Sequence, residues 1–244
     1  MVRRPPPKVS WLSLLLIAAA VVLWALDQKN AKPAGRPSPP LEKSQPPPKP
    51  RTAEKQQPGS TRPGASAPEK VGAYEVYRNC TLATDHSNDG DSFKVRLPDG
   101  RVEIFRLYFV DTPESAFRRY SGGDTNHKRI REQAAYLGGI TPEQAVEIGK
   151  KAKALTLGLL EETPFTIHTC WDSPYRDQRY HAHVEVKDSG RIRWLDELLV
   201  EKGLARILTK PADMPDGTPA SVHKDHLRDL ESKAKREGRG AWGL

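Results

Sequence analysis

The stretch from Asp89 to Glu114, DGDSFKVRLPDGRVEIFRLYFVDTPE, constrains this chain more than any other. Phe93, Val95 and Leu97 alternate as one strand. Pro98-Asp99-Gly100 is a turn in which proline presets φ and glycine accepts a positive φ. Val102 to Val110 then reads as a long returning strand. A hairpin comes back to its own starting edge, so Asp89 and Asp91 before the first strand should meet Asp111 and Glu114 after the second. Arg106 lies within the apolar second strand, where a charge is costly unless a partner meets it. Clustered carboxylates and an inward guanidinium on rigid strands point to a site for a hard cation and a phosphate. The apolar side of the returning strand changes from the Val102/Ile104 parity to the Phe105/Leu107/Phe109 parity, which predicts a bulge or a strongly coiled strand.

Around this hairpin the periodicity places further elements. Tyr74 to Leu82 reads as a first strand. Ser115 to Gly139 is polar and glycine-interrupted, with a helical stretch near Asn126 to Leu137. Thr141-Pro142-Glu143-Gln144 is a helix start, with Thr as N-cap and Pro at the first helical position. Ala145, Ile148, Ala152, Leu155 and Leu159 form the inward stripe of that helix, and Pro164 stops it. Phe165 to Cys170 and Arg179 to Lys187 read as a fourth and a fifth strand. A short helix at 194–202 and a last helix at 220–237 complete the chain. Three strands, a helix, two strands and more helix match the order of a five-stranded Greek-key barrel, though composition alone does not separate it from other α+β arrangements. His181 and His183 share a strand face with Arg179. With no third ligand in view they read as surface or substrate-facing histidines. Trp171, Trp194 and Trp242 read as packing.

The folded part is only the last two thirds of the chain. Before Val71 stand 12 Lys and Arg against 4 Asp and Glu; from Val71 onward there are 27 of each. The net charge of +8 therefore belongs to the N-terminal part, and no basic nucleic-acid surface follows from it. Residues 1–26 read as an export segment: Arg3, Arg4 and Lys8 precede an apolar run from Trp11 to Leu26 with no clean small-x-small cleavage site after it. An uncleaved N-terminal membrane anchor is the reading, with a cleaved signal as the alternative. The flanking charges put the remainder outside the cytoplasm. Residues 27–70 hold no Phe, Trp or Tyr and much of the proline, which makes them a disordered linker. Residues 71–244 are the globular domain.

Asp89-Gly90-Asp91-Ser92 and the run Arg106 to Glu114, R-L-Y-F-V-D-T-P-E, resemble the staphylococcal-nuclease-like (thermonuclease) family at the family's spacing. Gln178-Arg179 and Leu199 to Ala205 extend the resemblance, which covers Tyr74 to Trp242. It implies an α+β fold: a five-stranded OB-fold Greek-key β-barrel with packed helices, here preceded by a membrane helix and a linker. It implies a Ca²⁺-dependent phosphodiesterase. Asp91, Asp111 and the Thr112 carbonyl would hold the metal, with Asp89 tuning the site. Glu114 would orient or deprotonate water, and Arg106 and Arg179 would grip phosphate. In the family's barrel the first and fourth strands are antiparallel neighbours, from which a Cys80–Cys170 disulfide is expected.

The departures are specific. The segment after Glu114 is longer than the family's. Arg176-Asp177-Gln178 stand where the family often has Lys-Tyr-Gly. Leu208 to Ala212 lack the tyrosines that would seat a nucleotide, so binding should rest on phosphate contacts and be salt-sensitive. The expectation is a monomeric nuclease that cuts DNA, with RNA left open, either single-pass at the cell membrane with its domain outside or secreted after cleavage. The alternative is an inactive OB-fold nucleic-acid-binding module at the cell envelope. A purely structural envelope protein would require the acids to be accidental.

Overall fold

The computed structural model describes residues 68–175 and 177–244. Nine strands and four helices appear among them: β1 Glu69–Val71, β2 Tyr74–Leu82, β3 Ser92–Arg96, β4 Val102–Leu107, β5 Val110–Asp111, α1 His127–Tyr136, α2 Pro142–Glu162, β6 Phe165–Thr169, β7 Tyr180–Asp188, β8 Arg191–Trp194, α3 Leu195–Glu201, β9 Arg206–Ile207 and α4 Ala220–Arg236, with a final 3-10 turn at Gly240–Gly243. The export segment and nearly all of the linker lie outside the described residues. No helix among those described is long and apolar enough to cross a membrane. β1 takes in Glu69 and Lys70, which the sequence assigned to the linker.

Strands β2, β3, β4, β7 and β6 pair in that order, and β6 pairs back with β2, so the sheet closes into a five-stranded barrel. The β4–β7 pairing is parallel, with Arg106 opposite His181; the other barrel pairings are antiparallel. This is the α+β OB-type barrel that the resemblance implied. Phe93, Val95, Phe105, Ile167, Ala182 and Val184 fill the core and are essentially inaccessible. Each large apolar side chain buried in this way contributes about 2 kcal/mol.

The parity switch in the returning strand has a physical cause different from the predicted bulge. The strand ends at Leu107. Phe109 then takes a left-handed φ of 63°, and β5 begins afresh at Val110. β5 pairs with β9, Asp111 opposite Arg206, instead of continuing the barrel ladder. The bulge falls in β2. Between Tyr77 and Cys80 that strand carries one more residue than β6 opposite, with Asn79 at a φ of 59°.

The Cys80–Cys170 disulfide is not formed; both thiols are free. Glu75 faces Thr169 and Cys80 faces Phe165, so Cys170 lies beyond the first end of β2 and Cys80 near the other. The separation is about five residues of rise, roughly 16 Å, far beyond what a disulfide spans. Strands one and four are neighbours as expected, but Cys80 is not near the start of its strand. Its Sγ donates to Tyr77 O at 3.2 Å, while that of Cys170 donates to Ala73 O at 3.4 Å.

Helix α2 locks one barrel end. Thr141 and Gln144 form a complete capping box at its start. Midway along, Gly149 lies against the site backbone. A Cβ there would sit 2.4 Å from Glu114 O and 2.5 Å from Pro113 O. Thr156 Oγ1 donates to Gly90 O at 2.8 Å, and a Cβ on Gly90 would meet Thr112 Oγ1 at 2.8 Å. The Asp89–Asp91 turn, the Asp111–Glu114 segment and α2 therefore approach one another as closely as glycine allows. Helix α1 packs on α2 through a small cluster of its own, Ile130 and Ala134 against Ala145 and Val146.

Candidate active site

Four acids meet at this end of the barrel, as the hairpin requires. Asp91 precedes β3 and Asp111 ends β5; both are buried. Arg106 Nη2 donates to Asp91 Oδ2 at 3.2 Å and to Asp111 Oδ1 at 2.8 Å, so one nitrogen bridges the two carboxylates. Thr112 N donates to the same Asp91 oxygen at 3.4 Å. Asp89 is set to one side, its Oδ1 accepting from Gly90 N and its Oδ2 from Ser115 Oγ. Glu114 is half-buried beside Asp111.

The insertion reaches into this cluster. Arg129 of α1 donates through Nη2 to Asp111 Oδ1 at 2.5 Å and pairs through Nε with Glu114 Oε1 at 2.8 Å. Gln133, one turn on and fully buried, donates to Asp111 Oδ2 and to the Thr112 carbonyl, both at 3.0 Å, and accepts from Glu114 N at 3.1 Å. Asn126 ties Glu114 Oε2 to the loop through Ala116 O and Arg118 N. Its side chain is spent on the loop and does not cap α1. From the other side Arg206 of β9 donates through Nε to Asp111 Oδ2 at 2.8 Å. Sequence reading missed Arg129, Gln133, Asn126 and Arg206. The i, i+4 spacing of Arg129 and Gln133, beside the apolar Ile130/Ala134 stripe, was the available signal for two of them.

The two buried acids are unequal. At Asp91 burial dominates and, with Asp111 and Asp89 nearby, holds the pKa well above the usual carboxylate value against the opposing pulls of Arg106 and Arg129. Burial also disfavours the charge on Asp111, but Arg129, Gln133, Arg206 and Arg106 outweigh it and hold its carboxyl below the usual range. Asp111 is over-compensated, and Asp91 is short of positive charge.

Two carboxylates and a backbone carbonyl are hard oxygen donors, the chemistry that Ca²⁺ takes, and an acid left short of compensation is where a cation gains most. The donor set fits such an ion at Asp91, with Asp111 and the Thr112 carbonyl adjoining. Among the described residues no three His, Cys, Asp or Glu side chains converge closely enough to hold a metal by themselves.

Beside the acids opens a basin of about 360 Å³, lined by Arg106, Asp111, Arg129, Tyr175, Asp177, Arg179, Leu208 and Thr209. Arg179 reaches it from the start of β7, steadied by Asp177 through Nε at 3.0 Å and by Ser92 Oγ at 3.2 Å. Arg106 Nε is buried without a partner among the described residues. Tyr175 and Leu208 stand more than half exposed at the rim. His181 and His183, expected at the surface or facing substrate, are buried instead, under Tyr108 and beside Trp194. Trp171, Trp194 and Trp242 pack as expected, against Phe105, His168 and the Gly138 and Gly203 turns respectively. The barrel, the acid pair bridged by one arginine and the second arginine lining the same basin agree with a match to the family model of staphylococcal nuclease homologues over residues 104–243, and this chain belongs to that family.

Proposed function

We propose that the chain is a nuclease hydrolysing phosphodiester bonds of DNA, with RNA as a second substrate to be tested, at the basin between Arg106 and Arg179. The observation that carries this is that these two guanidiniums line one basin that Asp111 also lines, with Arg106 Nε buried and without a partner among the described residues. Forked donors of fixed charge match a phosphate's geometry. Arg106 is held in place by the two carboxylates and Arg179 by Asp177 and Ser92, so neither needs to reorganise when charge builds on the phosphoryl oxygens. Asp91, Asp111 and the Thr112 carbonyl would hold Ca²⁺. When bound, the ion supplies positive charge that polarises the phosphoryl oxygen. Glu114 holds the attacking water and accepts its proton. Tyr175 and Leu208 offer a base a flat, apolar rim at a place where the sequence promised none.

The test is cutting of single- and double-stranded DNA and of RNA by the full chain, with Ca²⁺ and with a chelator. Cutting that stops on chelation supports the reading. A second reading, an OB-fold module that binds nucleic acid without cutting it, is favoured by one observation: every hydrogen-bonding position on Asp111 is already taken. Stoichiometric binding with no turnover under any divalent cation would select it. The export segment read at residues 1–26 supports action outside the cytoplasm, tethered at the membrane or released after cleavage.

A further inference from the structure

Asp111 accepts four hydrogen bonds on two oxygens: Oδ1 from Arg106 and Arg129, Oδ2 from Arg206 and Gln133. A carboxylate has about four lone-pair positions, so it is saturated. A cation that shares this carboxylate must displace a donor. Three of the four cannot leave. Gln133 is fully buried and bonded to Thr112 and Glu114 as well, and the Arg106 and Arg206 side chains are under 10% exposed. Arg129 is different, with its side chain 41% exposed and its guanidinium already on the wall of the phosphate basin. It also holds Glu114, the group assigned to the water.

We propose that Arg129 is a displaceable latch on the cation site. In the resting protein it clasps Asp111 to Glu114. When a divalent cation competes for Asp111, Arg129 gives up both carboxylates and turns into the basin, where it becomes a third arginine on the phosphate. Two positive groups beside one saturated carboxylate repel each other, and an anionic phosphate is the nearest partner for the one released. Glu114, no longer paired, is then free to take a proton. The insertion would in this way couple cation binding to phosphate binding. The latch rests on the nuclease reading given above, and Arg129 acts in it as a positioning residue until it meets the phosphate.

The test is calorimetric titration of Ca²⁺ alone into the full chain, comparing wild type with Arg129→Ala and with Lys128→Ala. Lys128 is the exposed control, paired among the described residues with Glu132 alone, at 3.9 Å. Removing a competing charged hydrogen bond should tighten Ca²⁺ binding by about tenfold or more in Arg129→Ala, while Lys128→Ala matches wild type. The same Arg129→Ala protein, saturated with Ca²⁺, should lose about tenfold in affinity for an uncuttable phosphorothioate oligonucleotide. Arg129→Gln, which keeps a donor but not the charge, repeats both measurements if the alanine variant melts early. Equal Ca²⁺ affinity in wild type and variant overturns the latch and leaves the nuclease reading standing. Weaker Ca²⁺ binding in the variant also overturns it, because Arg129 would then be holding Asp111 in place for the ion. No Ca²⁺ binding by either protein, together with no cutting, removes the nuclease reading and the latch together.

Discussion

Arg106 and Arg129 reach the same oxygen of Asp111 from regions built in different ways. Arg106 stands on β4, between two other barrel strands, with its side chain 7% exposed. Arg129 stands on a ten-residue helix whose apolar packing is a small cluster against α2, and its side chain is 41% exposed. The barrel supplies a charge that is fixed in place by ladder hydrogen bonds on both sides. The insertion supplies one whose position depends on a few side-chain contacts. Fixed charge suits transition-state stabilisation, since nothing has to move when the reaction occurs. Adjustable charge suits selection of what enters the site.

The comparison breaks most visibly at Arg106. Arg106→Lys keeps the charge and gives up the fork that spans Asp91, Asp111 and the basin. Turnover on DNA should fall about 10²–10³-fold with the circular dichroism spectrum unchanged. A lysine enzyme as fast as wild type would mean that the strand-borne guanidinium is structural, and that the division between fixed and adjustable charge is misplaced.

Gln133 sharpens the other half. This amide belongs to the insertion by sequence, yet it is as buried as the barrel core and holds together Asp111, the Thr112 carbonyl and Glu114 N. Gln133→Leu leaves a buried N–H and a buried C=O without partners and should cost about 3 kcal/mol in denaturant unfolding. A cost below about 0.5 kcal/mol, the range of ordinary surface substitutions, would make α1 an appendage resting on a self-sufficient barrel.

Legibility divides along the same line. The barrel half could be read because each of its signals is local. Alternation gave β2, β3 and β4, the Pro-Asp-Gly turn gave the hairpin, Thr-Pro-Glu-Gln gave the start of α2, and together they placed Asp91, Arg106, Asp111 and Glu114 at one end. Where a feature depended on a register between distant strands, local signals failed. Cys80 and Cys170 lie on strands that are indeed adjacent, but the antiparallel offset of Glu75 on Thr169 keeps them apart. The kink at Phe109 was visible only as a change of parity, and the left-handed φ that causes it has no signature in a phenylalanine. Arg129 and Arg206 were not singled out, because no local signal says that β9 will pair with β5 or that α1 will fold back over Asp111.

The smallest expected effect concerns how the two regions carry charge under acid. Across β4 from Arg106 lies His181, with His183 two residues on; burial pushes both histidines down to about 4. Around His181 stand Asp172, Arg106, Lys210 and Asp177, and the opposing pulls of Asp172 and Asp177 do not offset the burial and the two cations. Arg129 on the insertion side is instead kept charged: burial opposes it, but Asp111 and Glu114 outweigh that cost. Above pH 6.5, the ordinary histidine value, neither folded nor unfolded chain protonates these rings, and they contribute nothing to pH dependence. Between 6.5 and about 4 the unfolded chain takes up protons that the folded one refuses, so stability falls as pH falls, and below about 4 the loss levels off. His223 runs the other way. Burial opposes its charge, the Asp196 hydrogen bond prevails and raises its pKa, and its contribution is full below 6.5 and lost as pH rises through the raised value. His181→Phe isolates the first effect, since a ring still fills the space between Tyr108 and Tyr175. Unfolding free energies at pH 7 and pH 5 should differ by about 1–2 kcal/mol less in His181→Phe than in wild type, one proton's worth over that interval. If the two proteins lose stability in parallel, the acid sensitivity lies elsewhere, and the barrel side of the site is no more averse to charge than the insertion side.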